Sequence, residues 1–174
     1  MVEIKSTLEL VMERTRHLTL TEEDRREQAL AEFKKSLNGL LARFQDGALR
    51  LDQFQAEVSA LQEHSRLNDR KIIIEEIAGR LDLDRDNAWA FNLLEGAFRV
   101  NIKGVAAVVG EYQESIESMT QNLIRETREH LLKHYGISGS AVVPNIAAYP
   151  DSTVARKRIR ERFEPILAQE ISKM

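Results

Sequence analysis

Cysteine is absent from the 174-residue chain, which excludes disulfides, thiolate metal sites and cysteine nucleophiles and leaves the fold to packing alone. Proline and glycine are scarce, at three and eight residues, so the chain is neither collagenous nor low-complexity. Long hydrophobic runs are missing as well. The most apolar stretch, residues 105–109, is five residues long, far short of the ~20 needed to span a bilayer as a helix. Nor does one sign of charge dominate: 25 Lys and Arg face 28 Asp and Glu, and no overall basic excess advertises nucleic acid or an anionic membrane. The first twenty residues mix both signs, unlike a secretory signal or an acid-poor transit peptide. The expectation is a cytoplasmic protein with no membrane segment.

What is present is 43% hydrophobic and 30% charged residues, arranged with helical periodicity. Ile4, Leu8, Val11, Thr15 and Leu18 mark a first stripe. Thr21, followed by Glu22, Glu23 and Asp24, has the form of an N-cap with acids in the first turn. It predicts a helix over 22–45, ended at Asp46-Gly47. Asp52 is a candidate cap for a third helix carrying Phe54, Val58 and Leu61, and Asn68 or Asp69 for a fourth carrying Ile73, Ile74, Ile77 and Leu81. A fifth is expected over 86–99, open to continuing into the next.

The most regular pattern is Ile102, Val105, Val109, Tyr112, Ile116, Met119 and Leu123, at steps of three and four. It predicts a long helix reaching Tyr135, with Gly136 as its left-handed stop. Gly104, Ala106, Ala107 and Gly110 leave little bulk near its start and suggest a close helix crossing. Residues 136–151 carry no helical period and read as an extended connection, with a short strand conceivable at 141–143. Ser152 is placed to cap a last helix, which Pro165 should kink or restart. The architecture expected is therefore all-α: an elongated bundle over 1–135 with a long central helix, an extended connection over 136–151, and a C-terminal helix over 152–174 packing on the bundle or on a partner subunit.

Three constellations could carry chemistry. Glu126, His130 and His134 follow at steps of four and could offer a carboxylate and two imidazoles to a divalent metal. The spacing is not the Glu-x-x-His of di-iron bundles, and Leu131 stands where a zinc protease needs its glutamate. The alternative is that the apolar track moves to Ile124, Thr127, Leu131 and Tyr135 and turns Glu126 and His130 to solvent. Asp82, Asp84 and Asp86 begin like an EF-hand, but Asn87 and Leu93 occupy the positions of its glycine and its bidentate glutamate. Helix capping explains these acids more simply. Arg156, Lys157, Arg158, Arg160 and Arg162 form the one basic cluster and could contact phosphates. Glu161 and Glu164 beside them favour ion pairs along a solvated helix face, and no aromatic residue interleaves them for base stacking. No glycine-rich phosphate loop occurs, and the string from Gly136 to Ser140 lacks the final glycine of a nucleophile elbow.

The strings Glu3-Ile4-Lys5-Ser6-Thr7-Leu8-Glu9, Met12-Glu13-Arg14-Thr15 and Gly139-Ser140-Ala141-Val142-Val143-Pro144-Asn145, 18 of 174 residues, resemble those of a family of uncharacterised helical proteins of anaerobic bacteria. The resemblance implies a bacterial cytoplasmic setting and no particular activity. The function expected is noncatalytic: self-association or protein–protein interaction with no cofactor, as a homo-oligomer built on the 102–123 seam and the stripe from Ile4 to Leu18, the alternative being that both are buried within one chain. A nucleic-acid-associated regulator using the C-terminal basic helix and a metal-binding helical enzyme are the alternatives.

Overall fold

The structure is a computed structural model that describes residues 21–139, 141–146 and 150–174. The stripe from Ile4 to Leu18 lies outside these residues. The class is all-α, with no strand among the described residues. The helices are α1 (Glu22–Gln45), α2 (Leu51–Ser65), α3 (Arg70–Ala78), α4 (Ala88–Phe91), α5 (Lys103–Tyr135) and α6 (Pro150–Ser172). A π-helical turn, Asn92–Ala97, follows α4 directly. None of the described helices is long and apolar enough to cross a membrane. The chain divides into two compact units within α3, between Glu76 and Ile77.

In the first unit, α1 begins where its capping chemistry demands. The Thr21 hydroxyl accepts the Asp24 amide at 3.1 Å while the Asp24 carboxylate accepts the Thr21 amide at 2.8 Å, so both orphan donors are satisfied reciprocally. Phe33, Leu37, Leu41 and Phe44 are the buried residues of α1. Phe44 meets Phe54 of α2 edge to face, with ring centroids 5.4 Å apart. Asp52 is not the cap of α2. The helix starts at Leu51 with Arg50 as its N-cap, two positions earlier than that cap implies, and the Arg50 amide is taken by the Gln53 side chain at 3.0 Å. Asp69 does cap α3, accepting the Lys71 amide at 2.9 Å. Lys34 of α1 pairs with Glu76 of α3 at 2.9 Å.

The second unit is organised by α5 and α6. Their shared core holds Val105, Val108, Val109, Tyr112, Phe163 and Leu167, together with Leu83 from the loop before α4. Tyr112 and Phe163 meet edge to face at 5.7 Å, and a Cβ at Gly104 would overlap the Glu170 carboxylate. As α5 advances from 104 to 112 its partners on α6 retreat from 170 to 163, so the two helices are antiparallel. Gly104 therefore lies at a close approach of α5 to α6, whereas Gly110 has open space around it and does not.

Three expectations need correction here. The helix expected over 86–99 is four residues of α-helix and six of π-helix, and it does not join α5. Val100 bonds back to the Leu94 carbonyl at 2.8 Å and Arg99 takes a left-handed φ of 50°. Residues 141–143 form no strand; Ala141 is in a turn, and the Val142 amide donates to the Gly139 carbonyl at 3.2 Å. The last helix begins at Pro150 and runs through Pro165 as one element, and Ser152 is buried inside it rather than capping it. Gly136 does end α5, with φ 62° and the Ile137 amide bonded to the Leu131 carbonyl at 3.2 Å.

Phe163 is 3% exposed at the centre of this core. Phe163→Ala should cost about 3–5 kcal/mol of stability, read as a lowered urea midpoint. A change below ~1 kcal/mol would mean that α6 is not a structural partner of α5.

Candidate functional site

The loop before α4 is built by its polar residues. Asn87, 4% exposed, accepts the Asp82 amide at 3.1 Å and donates to the carbonyls of Asp82 at 2.8 Å and Arg85 at 3.2 Å. Asp86 accepts the Ala88 amide at 2.8 Å, at the first residue of α4, although Asn87 rather than Asp86 stands in the N-cap position. Asp82 accepts the Asp84 amide at 2.9 Å. This geometry holds the Asp84 carboxylate against both long helices.

Asp84 is the node of the second unit. The Tyr112 hydroxyl donates to its Oδ1 at 2.6 Å, Arg156 donates to the same oxygen at 2.9 Å, and Arg160 donates to Oδ2 at 2.5 Å. Arg160 also donates to Glu164 at 2.7 Å. Burial works against the charge on Asp84, but the bonds from Tyr112, Arg156 and Arg160 outweigh it and hold the carboxyl below its ordinary 3.8. Burial first, and then the Asp84 carboxylate, push the Tyr112 phenol above its ordinary 10.0. A carboxylate held this way is a weak base and a phenol held this way a weak acid, so neither is poised for proton transfer near neutrality. The arrangement is a clamp. An open groove of about 490 Å³ runs beside it, bordered by Asp86, Gln113, Ile116 and Glu117.

Sequence reasoning did not find this node, and it assigned the basic cluster a different possible use. Arg156 and Arg160 are bound to Asp84, Lys157 lies 3.8 Å from Glu161, and the Arg162 guanidinium lies over the Phe163 ring at 5.4 Å. Arg158 is exposed. Most of the cluster's charge is therefore engaged within the chain, along the helix and across to the loop.

The seam is divided in the same way. Val105, Val109 and Tyr112 are buried in the chain's own core, Ile116 packs on its edge, and Ile102, Met119 and Leu123 are half-buried. Its first half is consumed by α6 and is no free association face. Beyond Leu123 the covered side drifts: Thr127 is buried and Ile124 and Leu131 are half-buried, while Glu126, His130 and His134 are exposed. The His130 and His134 rings lie 4.4 Å apart. Glu126 does not complete a metal set with them, since no three His, Cys, Asp or Glu side chains gather to hold an ion among the described residues.

A second concavity of about 310 Å³ lies between α1 and α2, lined in part by Glu32, Ser36, His64 and Ser65. Ser65 donates its hydroxyl to the Leu61 carbonyl at 2.8 Å and Glu32 accepts from Gln28 at 3.1 Å, so these residues serve their own helices. No family model, no curated protein and no solved structure matches the chain.

Asp84 titrates lower in the folded chain than in the unfolded one, so its stabilisation is fully present above about pH 3.9 and is lost as the pH falls through the folded value. Asp84→Asn should lower stability at neutral pH and flatten its dependence on pH in the acid range, as measured by urea unfolding across a pH series. A variant with the wild-type pH dependence would show that Asp84 is not the clamp.

Proposed function

We propose that the protein is a noncatalytic cytoplasmic helical protein that acts by self-association through the C-terminal end of α5. The observation that carries this reading is the apolar surface left there. Tyr135 is 67% exposed, Leu132 53%, Ile137 47% and Val143 79%. Gathered exposed side chains of this kind mark interaction sites far more often than single ones do.

The surface arises from a mismatch of lengths. α5 has 33 residues and α6 has 23, or ~50 Å and ~35 Å of helix. With Tyr112 level with Phe163, the first residue of α6 falls level with about residue 125, and roughly ten residues of α5 extend past it. Residues 141–146 return along part of this overhang, where Arg128 donates to the Val142 carbonyl at 3.1 Å. They leave Leu132 and Tyr135 in water.

The occupant that fits is a second copy of the chain. Arg125, Arg128 and Lys133 alternate with Glu126 and Glu129 on the overhang, and all five are exposed. Such a mixed surface is self-complementary when two copies meet about a two-fold axis, with cations of one facing acids of the other. A partner of strongly one-sided charge would meet repulsion at half of these positions. Neither the basic residues of α6, mostly engaged, nor a carboxylate poised for catalysis supports the nucleic-acid or enzyme reading as far.

Light scattering coupled to gel filtration should show a dimer population that grows with concentration. Leu132→Asp combined with Tyr135→Asp should return the protein to monomer with its helical circular dichroism unchanged. A wild-type chain that stays monomeric at high concentration would sink the proposal.

A further inference from the structure

His130 and His134 lie one helical turn apart on the overhanging part of α5. They continue the line of the seam: Val105, Tyr112, Ile116 and Leu123 are followed at heptad-like steps by His130 and His134. Where that line is covered by α6 it is apolar. Where it runs past α6, two imidazoles take its place. The rings are exposed, with centroids 4.4 Å apart and planes tilted by 38°, and the Tyr135 ring lies 6.0 Å from His130. The pair thus borders the apolar patch.

Two imidazoles at i and i+4 can reach one ion through small side-chain rotations, given metal–nitrogen bonds of ~2.0–2.1 Å. They do not by themselves close a coordination sphere, because tetrahedral zinc takes four donors. Among the described residues no third ligand joins them. We infer that His130 and His134 are half of a divalent transition-metal site that a second copy of the chain completes. An isologous contact about a two-fold axis places the same pair from each copy opposite the other, giving four imidazoles. Imidazole donors select zinc, copper or nickel over magnesium or calcium. The metal acts here as a linkage between copies rather than as a reaction centre, and the inference rests on the self-association proposed above.

The test is sedimentation velocity on the full chain, treated with chelator and then dialysed, with and without added Zn²⁺, for the wild type and for the variant carrying His130→Ala and His134→Ala. Both positions are exposed, and circular dichroism verifies that the variant folds. The wild type should bind one Zn²⁺ per two chains. At free zinc ten times the dissociation constant of the site, its dimer should tighten about tenfold. The variant should dimerise like the metal-free wild type and ignore zinc. A wild type that dimerises equally with and without Zn²⁺ overturns the metal site and leaves self-association standing. Binding of one Zn²⁺ per monomer without a change of mass, or a zinc response retained by the variant, also overturns the site. A chain that is monomeric in every condition overturns both readings.

Discussion

Asp84 is where the loop before α4, the long helix and the C-terminal helix have to agree. Its two oxygens take one phenol and two guanidinium groups, drawn from residues 28, 72 and 76 positions away in the chain. The loop can offer that carboxylate only because Asn87 and Asp82 satisfy the backbone around it. The hydrogen bond to Tyr112 also sets the rotation of α5 about its axis, since the same ring packs on Phe163. Polar clamp and apolar core therefore specify one register between α5 and α6, and each would be weaker without the other.

That register has a consequence at the other end of the pair. A helix of 33 residues held in fixed alignment with one of 23 carries its last turns beyond the reach of α6. Residues 141–146 return along one side, where Arg128 holds the Val142 carbonyl, and leave Leu132 and Tyr135 exposed. The exposed apolar surface is thus a by-product of how the core is aligned. Its chemistry differs from the core's, being apolar on one flank and histidine-bearing on the next. The same stripe of α5 serves folding in its first half and faces solvent in its second.

Much of the helical plan was readable from local signals. Thr21 with Asp24, the Asp46-Gly47 stop, Asp69 and Gly136 announced helix ends because capping depends on residues within one turn. The start of α2 was misplaced by two positions because the N-cap is Arg50, a residue without capping chemistry of its own, whose amide is taken by the Gln53 side chain. The stretch over 86–99 was legible as helical in its apolar spacing, but no sequence rule distinguishes the π-helical turn that Asn92–Ala97 adopts. In the C-terminal helix, Ser152 has the chemistry of a cap, yet it is buried within a helix that begins at Pro150. A proline is suited to a first turn because its missing donor has no partner there anyway.

The candidate site divides along the same line. Helix identity, the apolar stripe of α5 and the i,i+4 ion pairs of α6 follow from spacing along the chain, because the groups concerned are neighbours in sequence. The clamp on Asp84, the burial of Val105, Val109 and Tyr112 within the chain's own core, and the exposure of Leu132 and Tyr135 do not. They depend on which helix lies opposite and at what height, and that alignment comes from the joint packing of residues brought together from distant parts of the chain.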